Sequence, residues 1–154
     1  MFEFLGIDLA VVPKMTAQDA SQVDLVAHTR VVKTRLPGAP EEVVDLAVLS
    51  GRENLAQGLI LRLLTPRGSL AALGHAAYGS ELHKLIGQLK TEELRNLCRA
   101  YVLDVVQQEP RVENKALSFS FETDREGLDS FVFTIAVQPK DTGVPVGLTL
   151  EFAL

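Results

Sequence analysis

Three runs of alternating apolar and polar residues close this chain, and they restrict its fold more than any other feature. In residues 116–123, Leu117, Phe119 and Phe121 alternate with Ser118, Ser120 and Glu122. In 130–138, Phe131, Phe133, Ile135 and Val137 alternate with Val132, Thr134 and Ala136. In 146–154, Leu148, Leu150 and Phe152 share one face. Successive side chains of a strand point to opposite faces, so each run predicts a strand with one apolar side. The joins are short: a polar turn with Gly127 over 124–129, and a loop with Gly143 over 139–145. Three consecutive strands predict an antiparallel meander with one face laid on helices.

Two helices precede the meander. Ser50 and Glu53 have the S-x-x-E spacing of a capping box, in which each side chain satisfies a backbone N–H of the other. Leu55, Ala56, Leu59, Ile60, Leu63 and Leu64 follow the helical rhythm, Leu61 widens the stripe, and Asn54, Gln57 and Arg62 fall off it. Thr65, before Pro66, is disfavoured from α geometry. The run Thr65-Pro66-Arg67-Gly68 therefore stops this helix. A loop with Gly74 and Gly79 follows, and Ser80 caps a short turn through Leu82, Leu85 and Ile86. Thr91 then caps the longest helix, 92–108, with Glu92 and Glu93 at its positive end. Its stripe is Leu94, Leu97, Cys98, Tyr101, Val102 and Val105, with Glu93, Asn96, Arg99 and Asp104 off it. Pro110 ends it and pushes Glu109 into extended geometry.

The first forty residues are less regular. Phe2, Phe4, Ile7 and Leu9 alternate in part, as a strand or an extended arm. Residues 16–22 read as a loop or one helical turn, and 23–36 as a strand carrying Val26, Val31 and Val32. Pro37-Gly38-Ala39-Pro40 is the clearest linker-like stretch. Residues 43–49 make a short strand into the capped helix. The expected class is α+β: a small antiparallel or mixed sheet, the C-terminal meander plus N-terminal strands, packed on two main helices. At 154 residues the chain is expected to be one domain. A chain of that size buries about 68–70% of its unfolded surface, enough for a real core.

Charge and composition narrow the function. A net charge of −5 without a Lys/Arg run argues against wrapping nucleic acid. No apolar run reaches the roughly 18–20 residues of a membrane span. The start, with Glu3 and Asp8, is unlike a signal peptide, so cytoplasmic synthesis is expected. The lone Cys98 excludes an intramolecular disulfide and fits a reducing compartment.

No catalytic constellation stands out. His28, His75 and His83 are scattered without Cys or carboxylate at metal-ligand spacing, so no metal is expected. Cys98 lies on an apolar stripe, which suits an inert core thiol better than a nucleophile. Gly79-Ser80-Glu81 lacks the G-x-S-x-G frame. There is no G-x-G-x-x-G and no P-loop lysine, so no cofactor is expected. The short polar cluster worth weighing is Glu109-Pro110-Arg111, between the long helix and the meander. Taken alone it is a proline helix stop flanked by two solvated charges.

Taken together, these words resemble the GPW-type baseplate wedge family of contractile phage tails, type VI secretion baseplates and extracellular contractile injection systems. The family pattern is a strand ending in S-G, an acidic-capped helix, an L-x-T-x-x-G break, an aromatic-Gly pair and a short L-x-x-L-I/L helix. Here these are Leu49-Ser50-Gly51, residues 53–64, Leu64 to Gly68, Tyr78-Gly79 and residues 82–86. The E-P-R tripeptide of the family matches Glu109-Pro110-Arg111 residue for residue, and the ending matches residues 150–154. The resemblance spans 45–154. It leaves 1–40 as extra strands or a subunit-specific arm. Type VI members often carry T-R-P-G-E at the first break. Thr65-Pro66-Arg67-Gly68-Ser69 departs from that and leans toward phage or extracellular particles.

The resemblance implies a structural baseplate subunit rather than an enzyme, assembled into a tail or injection particle as part of a ring-shaped hetero-oligomer. Its implied partners are other wedge proteins, docked at the E-P-R junction, and the tail sheath, whose first ring it would seed by strand addition. Pro110 would fix the turn, Arg111 would offer its fork of donors to a partner, and Glu109 would accept from a partner or hold Arg111. Family members have also carried a lysozyme label, so a cell-wall glycan hydrolase is the alternative. A cytoplasmic adaptor that has borrowed the fold is a third possibility.

Overall fold

The C-terminal meander is laid down in regular steps. β5 (Val112–Phe121), β6 (Ser130–Pro139) and β7 (Val146–Ala153) form one antiparallel sheet in that order. The computed structural model describes residues 5–11, 27–32, 41–140 and 143–154. The β6–β7 register is even, from Ser130 opposite Ala153 to Val137 opposite Val146. The β5–β6 register shifts twice, between Val112 and Ala116 and between Ala116 and Ser118. Phe131, Phe133, Ile135 and Val137 are buried, as their alternation requires, and Leu148 and Leu150 follow on β7. Val132, on the opposite face, is also 4% exposed. It lies under the turn after β5, where its carbonyl accepts from Glu122 N at 2.7 Å.

Two α-helices cover the sheet. In α1 (Gly51–Leu64), Leu55, Leu59, Ile60 and Leu63 are buried. Leu64, expected on the stripe, is 45% exposed, because it sits in the last turn, where the chain leaves the core. In α2 (Glu92–Gln107), Leu94, Cys98, Val102, Val105 and Val106 are buried, whereas Leu97 is 45% exposed. The Thr91 hydroxyl accepts from Leu94 N at 3.2 Å, the expected cap. The capping box of α1 does not form. Ser50 holds the cap position but makes no side-chain cap bond. It is instead the last residue of β4 (Val48–Ser50), and Gly51 turns the chain into the helix at φ +60°. Strand pairing had already fixed Ser50 against Ile7.

The N-terminal strands do not extend the meander. β1 (Ile7–Leu9) pairs antiparallel with β4, and β2 (Ala27–Val32) pairs with β3 (Glu41–Leu46), giving two separate two-stranded ribbons. Because β4 runs directly into α1, this ribbon is held beside the helix and away from the sheet edge. Asn54 and Gln57, assigned to the outer face of α1, are 6% and 3% exposed. Asn54 Nδ2 donates to the Leu5 carbonyl at 2.8 Å, and Gln57 Nε2 to that of Leu9 at 2.7 Å. Gln57 Oε1 accepts from Val11 N at 2.8 Å. Buried amides demand such partners, and the N-terminal backbone supplies them. The expectations for Phe2, Phe4, residues 16–22 and the 37–40 linker lie outside the described residues.

Candidate docking junction

The turn after α2 begins as a helix end. Gln108 caps the helix in αR geometry and donates its N–H to the Asp104 carbonyl. Val112 N then donates to the Glu109 carbonyl at 3.2 Å, which closes a tight turn with Pro110 and Arg111 at its centre. Proline suits the first central position because its φ is preset.

Glu109 does not point at solvent. It is 4% exposed, and its Oε1 accepts from Arg111 Nε at 2.7 Å. Its Oε2 lies 3.7 Å from Arg62 Nη2 of α1. Arg111 Nη1 continues inward to the Leu5 carbonyl at 3.2 Å. The guanidinium lies across Gly58, where an added Cβ would come within 2.5 Å of Nη2. So Glu109 holds Arg111, and the fork spans the turn, α1 and the N-terminal segment. Pro110 is exposed at the tip and Arg111 is about three-quarters covered. Gly58, Arg62 and the Leu5 carbonyl were not singled out from the sequence. The one available signal was a glycine inside a run of strong helix formers, which calls for a packing reason.

A second loop braces the junction. Arg67 N donates to Ser80 O at 2.9 Å and Ser80 N to Thr65 O at 2.8 Å, pairing the first helix break with the Tyr78-Gly79-Ser80 segment. Gly79 has φ +108°, and a Cβ there would fall on the Thr65 carbonyl oxygen. Glycine is required at that approach. Ser80 Oγ donates to the Leu63 carbonyl at 2.6 Å and accepts from Leu82 N at 3.2 Å. The clamp places the Tyr78 ring under Arg62, whose guanidinium carbon is 4.7 Å from the ring centroid. Arg62, Gly74, His75, Ala77, Tyr78 and Gln108 line an open groove beside the turn. Arg67 also pairs with Asp104, which holds that carboxyl below its ordinary range.

Away from the junction, the sequence hid a second ionic knot. Glu126 accepts from Arg95 Nη1 and Nη2 at 2.7 and 2.9 Å and from Lys90 at 2.9 Å. The Arg95 fork lowers its pKa to about 2, against the opposing effect of burial. Arg95 also lies over Phe121 and Phe131 at 4.6 and 4.9 Å. Cys98 is fully buried, and desolvation pushes its thiol up to about 12, the state of a structural thiol. His75 and His83 are both exposed and are not brought together with Cys98.

No protein-family model matches the chain. No curated protein matches it either. Its fold is similar to the crystal structure of a Geobacter sulfurreducens protein described as a tail lysozyme. The TM-score is 0.56 at 20% identity, over 66% of this chain and 89% of that chain. At that identity the likeness is one of fold: an α+β arrangement seen in a protein ascribed to a tail. Among the described residues, no helix is long and apolar enough to cross a membrane.

Proposed function

We propose that this chain is a structural subunit of a contractile tail-like baseplate, docking to neighbouring wedge proteins at the Glu109-Pro110-Arg111 junction. The observation that carries the reading is the junction itself. A buried carboxylate, an exposed proline and a clamped guanidinium form one rigid corner where α2, β5, α1 and the N-terminal segment meet. A corner tied at that many points presents a fixed surface, which lowers the ordering cost of docking. The fold shared with a tail protein agrees with this reading.

Strand addition to the sheath is the second part of the proposal, and β7 is the edge that suits it. Its eight residues hold one register against β6, so its outer edge is regular. β5, the other edge, carries two register shifts, and such irregularities blunt an edge against pairing. Main-chain hydrogen bonds along β7 would supply affinity, and its alternating side chains would supply register.

The hydrolase alternative has the neighbour's description in its favour. A glycosidase needs one carboxyl group kept protonated as a general acid, so its pKa must rise. Glu81, Asp104 and Glu126 all shift the other way, each toward a basic partner. Those three carboxyls are therefore unsuited to that role.

Replacing Glu109 and Arg111 together by alanine, in the host that makes the particle, should abolish sheathed particles while the purified chain keeps its circular dichroism. Normal particles from the double variant would overturn the docking role. Arg111→Lys, which keeps the charge but loses the fork, covers the case in which the double variant fails to fold. It should cut particle yield, and full yield would count against docking.

A further inference from the structure

We infer that the groove formed by Arg62, His75, Tyr78 and Gln108 receives a carboxylate from an acidic segment of a partner protein. The inference rests on the docking reading and gives the partner its chemistry.

Local charge carries the argument. Glu109 is one carboxylate facing two guanidiniums, Arg111 at 2.7 Å and Arg62 at 3.7 Å. The closer one takes its Oε1 directly, so Arg62 is left in excess. The neighbouring Asp104 is already held by Arg67 and by Gln108 Nε2, the latter at 2.9 Å. Arg62 Nη1 donates to the Gln108 carbonyl at 3.1 Å, and its Nε is buried without a hydrogen-bond partner among the described residues. The result is one surplus positive charge on a chain whose net charge is −5.

The geometry is pre-set. The Tyr78 ring lies under the guanidinium carbon at 4.7 Å, and the Gly79 clamp holds the segment that carries Tyr78. Gly74, at φ +82°, leaves the opposite wall open, with nothing within 4 Å of an added Cβ. Each Nη carries a second hydrogen beyond the one turned to Gln108 or Glu109, and a guanidinium so placed beside an open groove suits a carboxylate, which accepts charge-assisted N–H bonds. His75 and Tyr78 add ring and hydroxyl donors on the walls. A nucleic-acid phosphate fits less well. Only one cation is surplus, the chain repels polyanions, and the Tyr78 face that a base would stack on lies against Arg62.

The test is a titration of the full-length, isotope-labelled chain, read by nuclear magnetic resonance. The probe is a capped peptide carrying three glutamates, with the same peptide carrying glutamines as control. Shifts should concentrate at Arg62 Nε, His75, Tyr78 and Gln108. Binding should weaken at least about tenfold for the glutamine peptide and with rising salt, as an exposed ion pair requires. Gln108→Glu, an exposed cap position that places a like charge on the rim, should weaken it similarly. Arg62→Gln should abolish it. Should Arg62→Gln fail to fold, Gln108→Glu still decides. Equal binding of both peptides, shifts elsewhere, no saturable shift, or tighter binding of a short oligothymidylate would each overturn the inference. Loss of peptide binding alongside particle loss in the Glu109/Arg111 double variant would remove the groove and leave docking intact. A working groove with normal particles would do the reverse.

Discussion

Glu126 shows how much one carboxylate can do when its partners are fixed. It takes both ends of the Arg95 fork and Lys90, and it is nearly covered. Its pKa is about 2 in the fold, against an ordinary 4.5. A depressed folded pKa means that the unfolded chain binds the proton more readily. The stabilisation is therefore complete above pH about 4.5 and is lost as pH falls toward about 2, amounting to roughly 3 kcal/mol. Urea midpoints measured across that window should fall steeply for the natural chain. For Glu126→Gln they should start lower and fall less, and a parallel pair of curves would refute the assignment. Gly58 offers a second residue-scale prediction. Alanine there gains about 1 kcal/mol of helix propensity and displaces only the far end of Arg111, which loses one bond worth about 1 kcal/mol. Gly58→Ala should melt within a few degrees of the natural chain while the Arg111 Nε resonance moves. A large drop in melting temperature with Arg111 unmoved would show that the glycine matters for another reason.

At the scale of elements, α1 is the member whose reading changed most. Its apolar stripe was legible because Leu55, Leu59, Ile60 and Leu63 recur at helical spacing, and they are buried. Its polar positions were not legible. Nothing local marks Asn54 and Gln57 as inward, since their partners lie 49 and 48 residues away. The capping box at Ser50 failed for the same kind of reason, because β1 claimed the strand that Ser50 ends. Replacing Gln57 by leucine should leave the Leu9 carbonyl and Val11 N–H without that side chain and cost on the order of 1–2 kcal/mol. Hydrogen exchange should then speed up over residues 7–11 and 48–50 and stay unchanged in β6. Equal acceleration in both would mean that β1 is not a separate unit. Gly79→Ala should unseat the clamp between residues 65–67 and 78–80, with Tyr78 leaving Arg62.

For the whole molecule, the α+β layering follows from patterns that need no distant information. Alternation of Phe131, Phe133, Ile135 and Val137 specifies a one-faced strand wherever it occurs, and the helical stripes specify what covers it. The three-strand order, the Thr91 cap and the proline stop at 110 were likewise readable, because each is settled within a few residues of chain. The candidate site was readable only as a tripeptide. That Glu109 and Arg111 bind each other, and that Arg111 crosses Gly58 to a carbonyl 106 residues earlier, depends on how α1, α2 and the N-terminal segment converge. The same holds for Arg62 over Tyr78 and for Arg95 on Glu126. A buried charge is stable only when partners from elsewhere meet it, and no periodicity records which distant groups those are. The sequence by itself thus determined the meander, the two helices and the apolar core of the face each one buries. The tertiary structure alone decided which polar side chains went inside, and with them the shape and charge of the surface beside the junction.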